Sequence, residues 1–135
     1  MTTKIIASGK RKTAIARAIL IEGSGKISIN KKDYKNLQMF DKLKIEEPLR
    51  IAEKTLGKLN FDVFINVKGG GEKGQVEAAR LALARVIVKF SNNEQLIKAY
   101  SDYDKNLLIA DIRRKEVKKP NTRGKARAKR QKSYR

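Results

Sequence analysis

The chain has 135 residues, a length that suits one domain. It carries 33 Lys and Arg against 14 Asp and Glu, a formal charge of +19, so a polyanionic partner, either nucleic acid or an anionic membrane surface, is the first expectation. It has neither cysteine nor histidine, which excludes disulfides, thiolate metal sites and the commonest general base.

Residues 4–8 predict a short strand and residues 13–22 a longer one. In the longer strand Ala14, Ala16, Ala18 and Leu20 fall on one face and Ile15, Ile19 and Ile21 on the other, so both faces are expected to be buried apart from Arg17. Gly23-Ser24-Gly25 reads as a turn, and Lys26–Asn30 as the returning strand of a β-hairpin. Asp33 is placed to cap a short helix carrying Tyr34, Leu37, Phe40 and Leu43. Pro48 suits the first turn of a second helix, with Leu49, Ala52 and Leu56 on one face and Gly57 as its stop. Phe61, Val63, Ile65 and Val67 alternate strictly, the clearest strand in the chain. The best helix follows, with Val76, Ala79, Leu83, Val86, Ile87 and Phe90 inside an arc of about 100° and Glu77, Arg85 and Lys89 outside it. A further helix is expected over 93–100. The order predicts an α+β fold, a two-layer sandwich of helices on a mostly antiparallel sheet.

No apolar run approaches the ~18 residues of a membrane helix, and Met1-Thr2-Thr3-Lys4 lacks a signal-peptide core. The expectation is an intracellular soluble protein with no membrane partner. The charge is uneven: residues 113–135 hold twelve basic side chains against Glu116 alone, a net +11, and the 112 residues before them carry +8. Val117 and Tyr134 are the only large apolar groups there, and Pro120, Asn121 and Gly124 interrupt any helix. Such a segment stays disordered until a counter-charge arrives. The chain therefore divides into a globular part, 1–112, and an extended basic tail, 113–135, that binds RNA.

Gly69-x-Gly71-x-x-Gly74, between a strand and a helix, matches the dinucleotide-binding fingerprint. That reading needs a second parallel strand after the helix, and the pattern predicts another helix there instead. The local reading is a tight strand-to-helix turn whose open N–H groups, flanked by Lys68 and Lys73, attract RNA phosphate. Gly9-Lys10-Arg11-Lys12 reads as a loop joining the first two strands and clamping phosphate through its close backbone and the Arg11 fork. Ser28-x-x-Lys31 lacks the companion motifs of a β-lactamase site. Glu46-Glu47 reads as helix-start charge rather than as a catalytic pair.

Three blocks carry a wider resemblance. They are Ser8-Gly9-Lys10-Arg11-Lys12-Thr13-Ala14-Ile15-Ala16-Arg17-Ala18, the stretch from Val67-Lys68-Gly69-Gly70-Gly71 through Gly74-Gln75-Val76 to Arg85, and Asp111-Ile112-Arg113-Arg114-Lys115-Glu116 through Lys118-Lys119-Pro120 to Gln131-Lys132-Ser133-Tyr134-Arg135. In content and order they resemble the universal small-subunit ribosomal protein S nine family, in its archaeal and eukaryotic branch. Ile112 departs from the family's Asp-Pro-Arg-Arg pattern.

The resemblance implies a fold related to the second domain of ribosomal protein S five, a cytoplasmic place in the small ribosomal subunit, and no enzymatic activity, cofactor or small-molecule substrate. It implies contact with rRNA and with neighbouring proteins in the subunit head. The rRNA-binding candidates are Lys10, Arg11, Lys12, Arg17, Lys68, Gly69, Gly70, Gly71, Lys73 and Gly74 in the globular part. In the tail they are Arg113, Arg114, Lys115, Lys118, Lys119, Arg123, Lys125, Arg127, Lys129 and Arg130. The tip, Lys132, Ser133, Tyr134 and Arg135, is expected beside the anticodon stem-loop of P-site tRNA. Two rival classes are a free RNA chaperone and a nucleotide kinase of the same superfold.

Overall fold

The computed structural model describes residues 4–121 and 126–127. Among the described residues five strands form one sheet: β1 (Ile5–Arg11), β2 (Ala14–Glu22), β3 (Ile27–Ile29), β4 (Lys32–Asp33) and β5 (Phe61–Lys68). Three α-helices accompany them: α1 (Met39–Leu56), α2 (Glu72–Ser91) and α3 (Glu94–Tyr103). The fold is α+β, as expected. The strand order is β1-β2-β5-β3-β4, with every neighbouring pair antiparallel except β3 and β5, so the sheet is mixed.

The expected β2–β3 hairpin does not form. β5 inserts between the two strands, antiparallel to β2 and parallel to β3. The turn after β2 instead hangs on β5, where Asp62 Oδ1 accepts from the backbone N–H groups of Ser24, Gly25 and Lys26 at 3.1, 3.1 and 2.9 Å. These donors, Lys26 foremost, hold the Asp62 carboxyl below its ordinary pKa. The hairpin that does form joins β3 to β4 through Asn30 and Lys31, both at positive φ (51° and 69°), as a two-residue connection between twisted strands requires.

β1 runs to Arg11, so Gly9, Lys10 and Arg11 lie in strand and not in a loop. β2 buries only one face: Ala14, Ala16, Ala18 and Leu20 are covered, whereas Ile15 is exposed and Ile19 and Ile21 are half-buried. The helices cover one side of the sheet and leave the other open. On the covered side small residues let α2 lie close. A Cβ on Gly9 would stand 2.3 Å from the Ala78 carbonyl oxygen and 2.6 Å from the Ala82 nitrogen.

α1 is one helix, with Pro48 inside it rather than at a start. The proline removes one intrahelical donor. Its carbonyl is engaged by Tyr100, whose fully buried hydroxyl donates across 2.8 Å from α3, and burial pushes that hydroxyl well above its ordinary pKa. Gly57 ends α1 at φ 83°, as expected of a helix stop. Asp33 caps a 3₁₀ turn, Tyr34–Asn36, instead of an α-helix.

α2 is buried more widely than one arc, because Ala78, Leu81, Ala82 and Ala84 are covered as well. The sheet packs on one side of it, and α1 with the 3₁₀ turn Lys105–Leu107 on the other. Phe90 is half-exposed, with its ring edge-on to Phe61 at 5.5 Å.

Two cations on α2 close the free edge of the sheet. Arg85 Nη1 donates to the Ser8 carbonyl at 2.9 Å and Lys89 Nζ to the Ile6 carbonyl at 3.0 Å. Residues four apart on a helix rise about 6 Å and alternate residues on a strand about 6.7 Å, so the two spacings match. Edge strands need such protection against stray pairing.

Candidate nucleic-acid interface

The glycine run, the β1–β2 turn and residues 113–115 meet at one end of the sheet. Gly69 and Gly70 take positive φ (78° and 68°), and a Cβ on either would meet the turn: Thr13 O at 2.6 Å from Gly69, Ala14 Cβ at 3.0 Å from Gly70. These glycines are required by packing against the turn. Gly71 is the N-cap of α2, and Gly74 sits in its first turn. Among the described residues α2 is followed by α3 and no further strand, which leaves the dinucleotide fingerprint without its second half.

The cations divide into two groups. Lys10 and Arg17 stand exposed on the open face of the sheet, Lys68 at the end of β5, and Lys12 in the turn at φ 53°. Lys10 and Lys68 both flank Ile15 across the ladder, and Arg17 lies between Ser8 and Asn66. None of these four has an ion-pair partner among the described residues. Beside them a cleft is lined by Arg11, Lys12, Thr13, Arg113, Arg114 and Lys115, with no acidic side chain in its wall. Farther along the open face, Ile6 (57 % exposed), Ile19 and Phe64 (44 % exposed) form an apolar row.

The second group is already engaged. Lys73 Nζ lies 2.8 Å from Asp41 Oδ1 and 3.2 Å from Gln38 Oε1. Asp41 is fully buried and its other oxygen has no hydrogen-bond partner among the described residues. The Asp41 hydrogen bond raises the Lys73 pKa, so Lys73 ties α2 to α1. Arg11 Nε bonds Glu77 Oε2 at 2.6 Å, and its Nη1 lies 2.6 Å from Asp111 Oδ2. Arg80 bridges Glu47 at 2.6 Å and Asp104 at 3.4 Å. Lys44 Nζ lies 3.5 Å from Glu77 Oε1. Charge counting along the sequence gives no sign of which cations are neutralised internally, and it does not single out Lys44, Glu77, Arg80, Arg85 or Asp111. The i, i+4 spacing of Arg85 and Lys89 on α2 was the one available signal.

Residues 109–119 form neither helix nor strand. Arg113, Arg114, Lys115 and Lys118 are exposed there, and Glu116 is contacted by Lys119 at 3.0 Å and Arg127 at 2.6 Å. Arg123, Lys125, Lys129, Arg130 and the tip, Lys132, Ser133, Tyr134 and Arg135, lie outside the described residues.

The sequence matches the family described as Ribosomal protein S9/S16 over residues 9–135. The chain belongs to this family. It is a family of structural ribosomal proteins, not enzymes, as expected from the resemblance. Archaeal relatives named "Small ribosomal subunit protein uS9" match nearly end to end. That of Methanococcus vannielii is 47 % identical over 129 residues, 94 % of this chain and 95 % of the relative. That of Methanococcus maripaludis strain C7 is 49 % identical over the same shares. That of Thermoplasma volcanium is 48 % identical over 134 residues, 97 % and 98 % of the two chains. Membership gives the exposed cations of this ribosomal protein their most direct reading.

Proposed function

We propose that this chain is a structural constituent of the small ribosomal subunit in the cytoplasm. Its globular part, 1–112, docks on rRNA in the subunit head among neighbouring head proteins, and its basic tail, 113–135, runs through rRNA toward P-site tRNA. The proposal includes a fold related to the second domain of ribosomal protein S five, supported by the mixed sheet with helices on one side. The observation that carries the reading is the cleft without acidic side chains that holds Lys12, Arg114 and Lys115, beside the exposed Lys10, Arg17 and Lys68. Such side chains meet phosphates, which position the protein without reading sequence. The glycine backbone beside the turn adds N–H groups at the start of α2.

The test is the salt dependence of rRNA affinity. Each neutralised phosphate contributes about −0.7 to −0.9 to the log–log slope. With about half of the tail cations on phosphates, deleting 113–135 flattens the slope by about four to five. An unchanged slope would show that the globular part does all the binding.

The tip acts at the tRNA. The 15 residues from Asn121 to Arg135 span about 50 Å when extended, enough for a head-bound protein to reach across rRNA. Arg135 pairs with a tRNA phosphate whatever the anticodon, Lys132 adds a second cation, and Tyr134 supplies a stacking ring. Deleting Lys132–Arg135 is expected to leave subunit yield intact and to speed tRNA dissociation from the P site. Normal retention alongside an assembly defect would overturn this role.

A further inference from the structure

We propose that Arg11, Glu77, Asp111 and Arg113 form a clip that sets the direction in which the tail leaves the domain, with Asp111 as its positioning residue. Arg11 is the last residue of β1 and is held in register opposite Ala14 of β2. Glu77 stands in the second turn of α2. The Arg11 guanidinium bridges them to the tail root: Nε to Glu77 Oε2 at 2.6 Å, Nη1 to Asp111 Oδ2 at 2.6 Å. Its side chain is only 14 % exposed and that of Asp111 only 16 %. Glu77 is hydrogen-bonded to Nε, whereas Asp111 is held beside Nη1 as an ion pair without hydrogen-bond geometry among the described residues, so two carboxylates stand at the fork that sequence assigned to phosphate.

Asp111 then turns the chain. Its Oδ1 accepts from the Arg113 backbone N–H at 3.0 Å and from Arg113 Nε at 3.1 Å, and its Oδ2 accepts from Arg113 Nε at 3.0 Å and Nη2 at 2.7 Å. A carboxylate that closes its own turn and grips the following arginine fixes the path of residues 111–113. The proline expected at 112 is not needed for this, and Ile112 is 88 % exposed and anchors nothing. A second anchor lies just upstream, where Leu107 is buried and Arg85 Nε donates to the Leu108 carbonyl at 3.0 Å. Beyond Arg113 the chain lies beside Lys12 and Thr13.

The consequence rests on the proposed role of the tail. A fixed root confines the tail to one side of the domain and raises its effective concentration along one RNA path. The Arg11–Asp111 pair, sheltered on both sides, is screened less by salt than exposed phosphate contacts, whereas the Arg113 side chain stands in solvent. The root therefore holds its direction under conditions that weaken the rest of the tail's binding.

The test uses the full chain, which has no cysteine, with one spin label at Val117→Cys. In the otherwise native chain, amide broadening is expected to concentrate on the β1–β2 turn around Lys12 and Thr13. Asp111→Ala removes no cation, and the docked population should fall on the order of tenfold, as for loss of charge-assisted contacts. Asp111→Asn, which keeps the acceptor for the Arg113 N–H, should fall in between. In ribosomes carrying Asp111→Ala, tail crosslinks should scatter and P-site tRNA should dissociate several-fold faster, while the salt slope of rRNA binding does not flatten, because no cation is lost. A lower melting temperature with the same broadening pattern would show a merely structural role and overturn the clip. So would native protein with no concentration of broadening at the turn. Loosened broadening with normal tRNA retention, matched by normal retention after deleting Lys132–Arg135, would support the clip and remove the proposed role of the tip.

Discussion

Replacing Gly9 with alanine puts a methyl group into the closest approach between β1 and α2. The new Cβ would lie 2.3 Å from Ala78 O, 2.6 Å from Ala82 N and 3.1 Å from Leu81 Cβ. Two of these are helix backbone atoms, so no side-chain rotation relieves the contact. The strand must move away by about 1 Å to restore normal contact distances, and that loosens Ala7 and Ala16 beneath the helix. Overpacking of this kind costs about 1–3 kcal/mol, and the backbone obstacles put Gly9 at the upper end. Alanine regains about 0.5–1 kcal/mol of chain entropy over glycine in a strand, leaving a net loss of about 2 kcal/mol. For a domain of this size that lowers Tm by about 6–10 °C. The paired control is Gly74→Ala, where the nearest atoms are 3.7 and 3.8 Å away. There alanine should stabilise by about 0.5–1 kcal/mol through helix propensity alone. Thermal melts of both variants decide the matter. A Gly9→Ala melt within 2 °C of native would refute the close-packed seam, and a destabilised Gly74→Ala would refute the reading of Gly74 as an ordinary helical residue.

Tyr100→Phe leaves its packing in place but removes the donor to Pro48. It should cost about 1–2 kcal/mol in urea unfolding, and no loss would mean the bond is replaced on folding. Lys73→Met should lower the unfolding midpoint by stranding buried Asp41, with Asp41→Asn in the same chain recovering part of it. Normal stability with weaker RNA binding would instead make Lys73 a phosphate contact. The bonds from Arg113, and then the charge of Arg11, hold the Asp111 carboxyl well below the usual carboxylate range. A depressed folded pKa contributes stability above the unfolded value, about 3.9, and loses it as pH falls through the folded one. The Arg113 amide shift should therefore stay flat from neutral pH to about pH 4. A midpoint at or above the ordinary aspartate value would contradict the clip.

The local pattern was readable where one residue's neighbours in sequence are also its neighbours in space. Alternation at Phe61–Val67, the helical stripe from Val76 to Ile87 and the stop at Gly57 all appear as read. Failures arose where a distant segment decides. Ile27 and Ile29 alternate equally well beside β2 or β5, and only the sheet shows that β5 takes the middle place. Pro48 marks a helix start by local rules, yet packing against α2 and α3, with the Tyr100 hydroxyl on the Pro48 carbonyl, carries α1 through it. Ile15, Ile19 and Ile21 read as a second buried face, whereas the helices cover only one side of the sheet. For the site, composition located the basic segments but could not tell which cations are spent on Glu77, Asp111 and Asp41 inside the domain.

The central claim is that this protein's charge serves small-subunit rRNA. Crosslinking the intact protein in its own cells, then sequencing the bound RNA, addresses it most directly. The account predicts reads concentrated on small-subunit rRNA, with crosslinks from the Lys10–Lys12 turn and from 113–121 falling in neighbouring segments of the head. Reads spread over total RNA in proportion to abundance, with no such pairing, would contradict it.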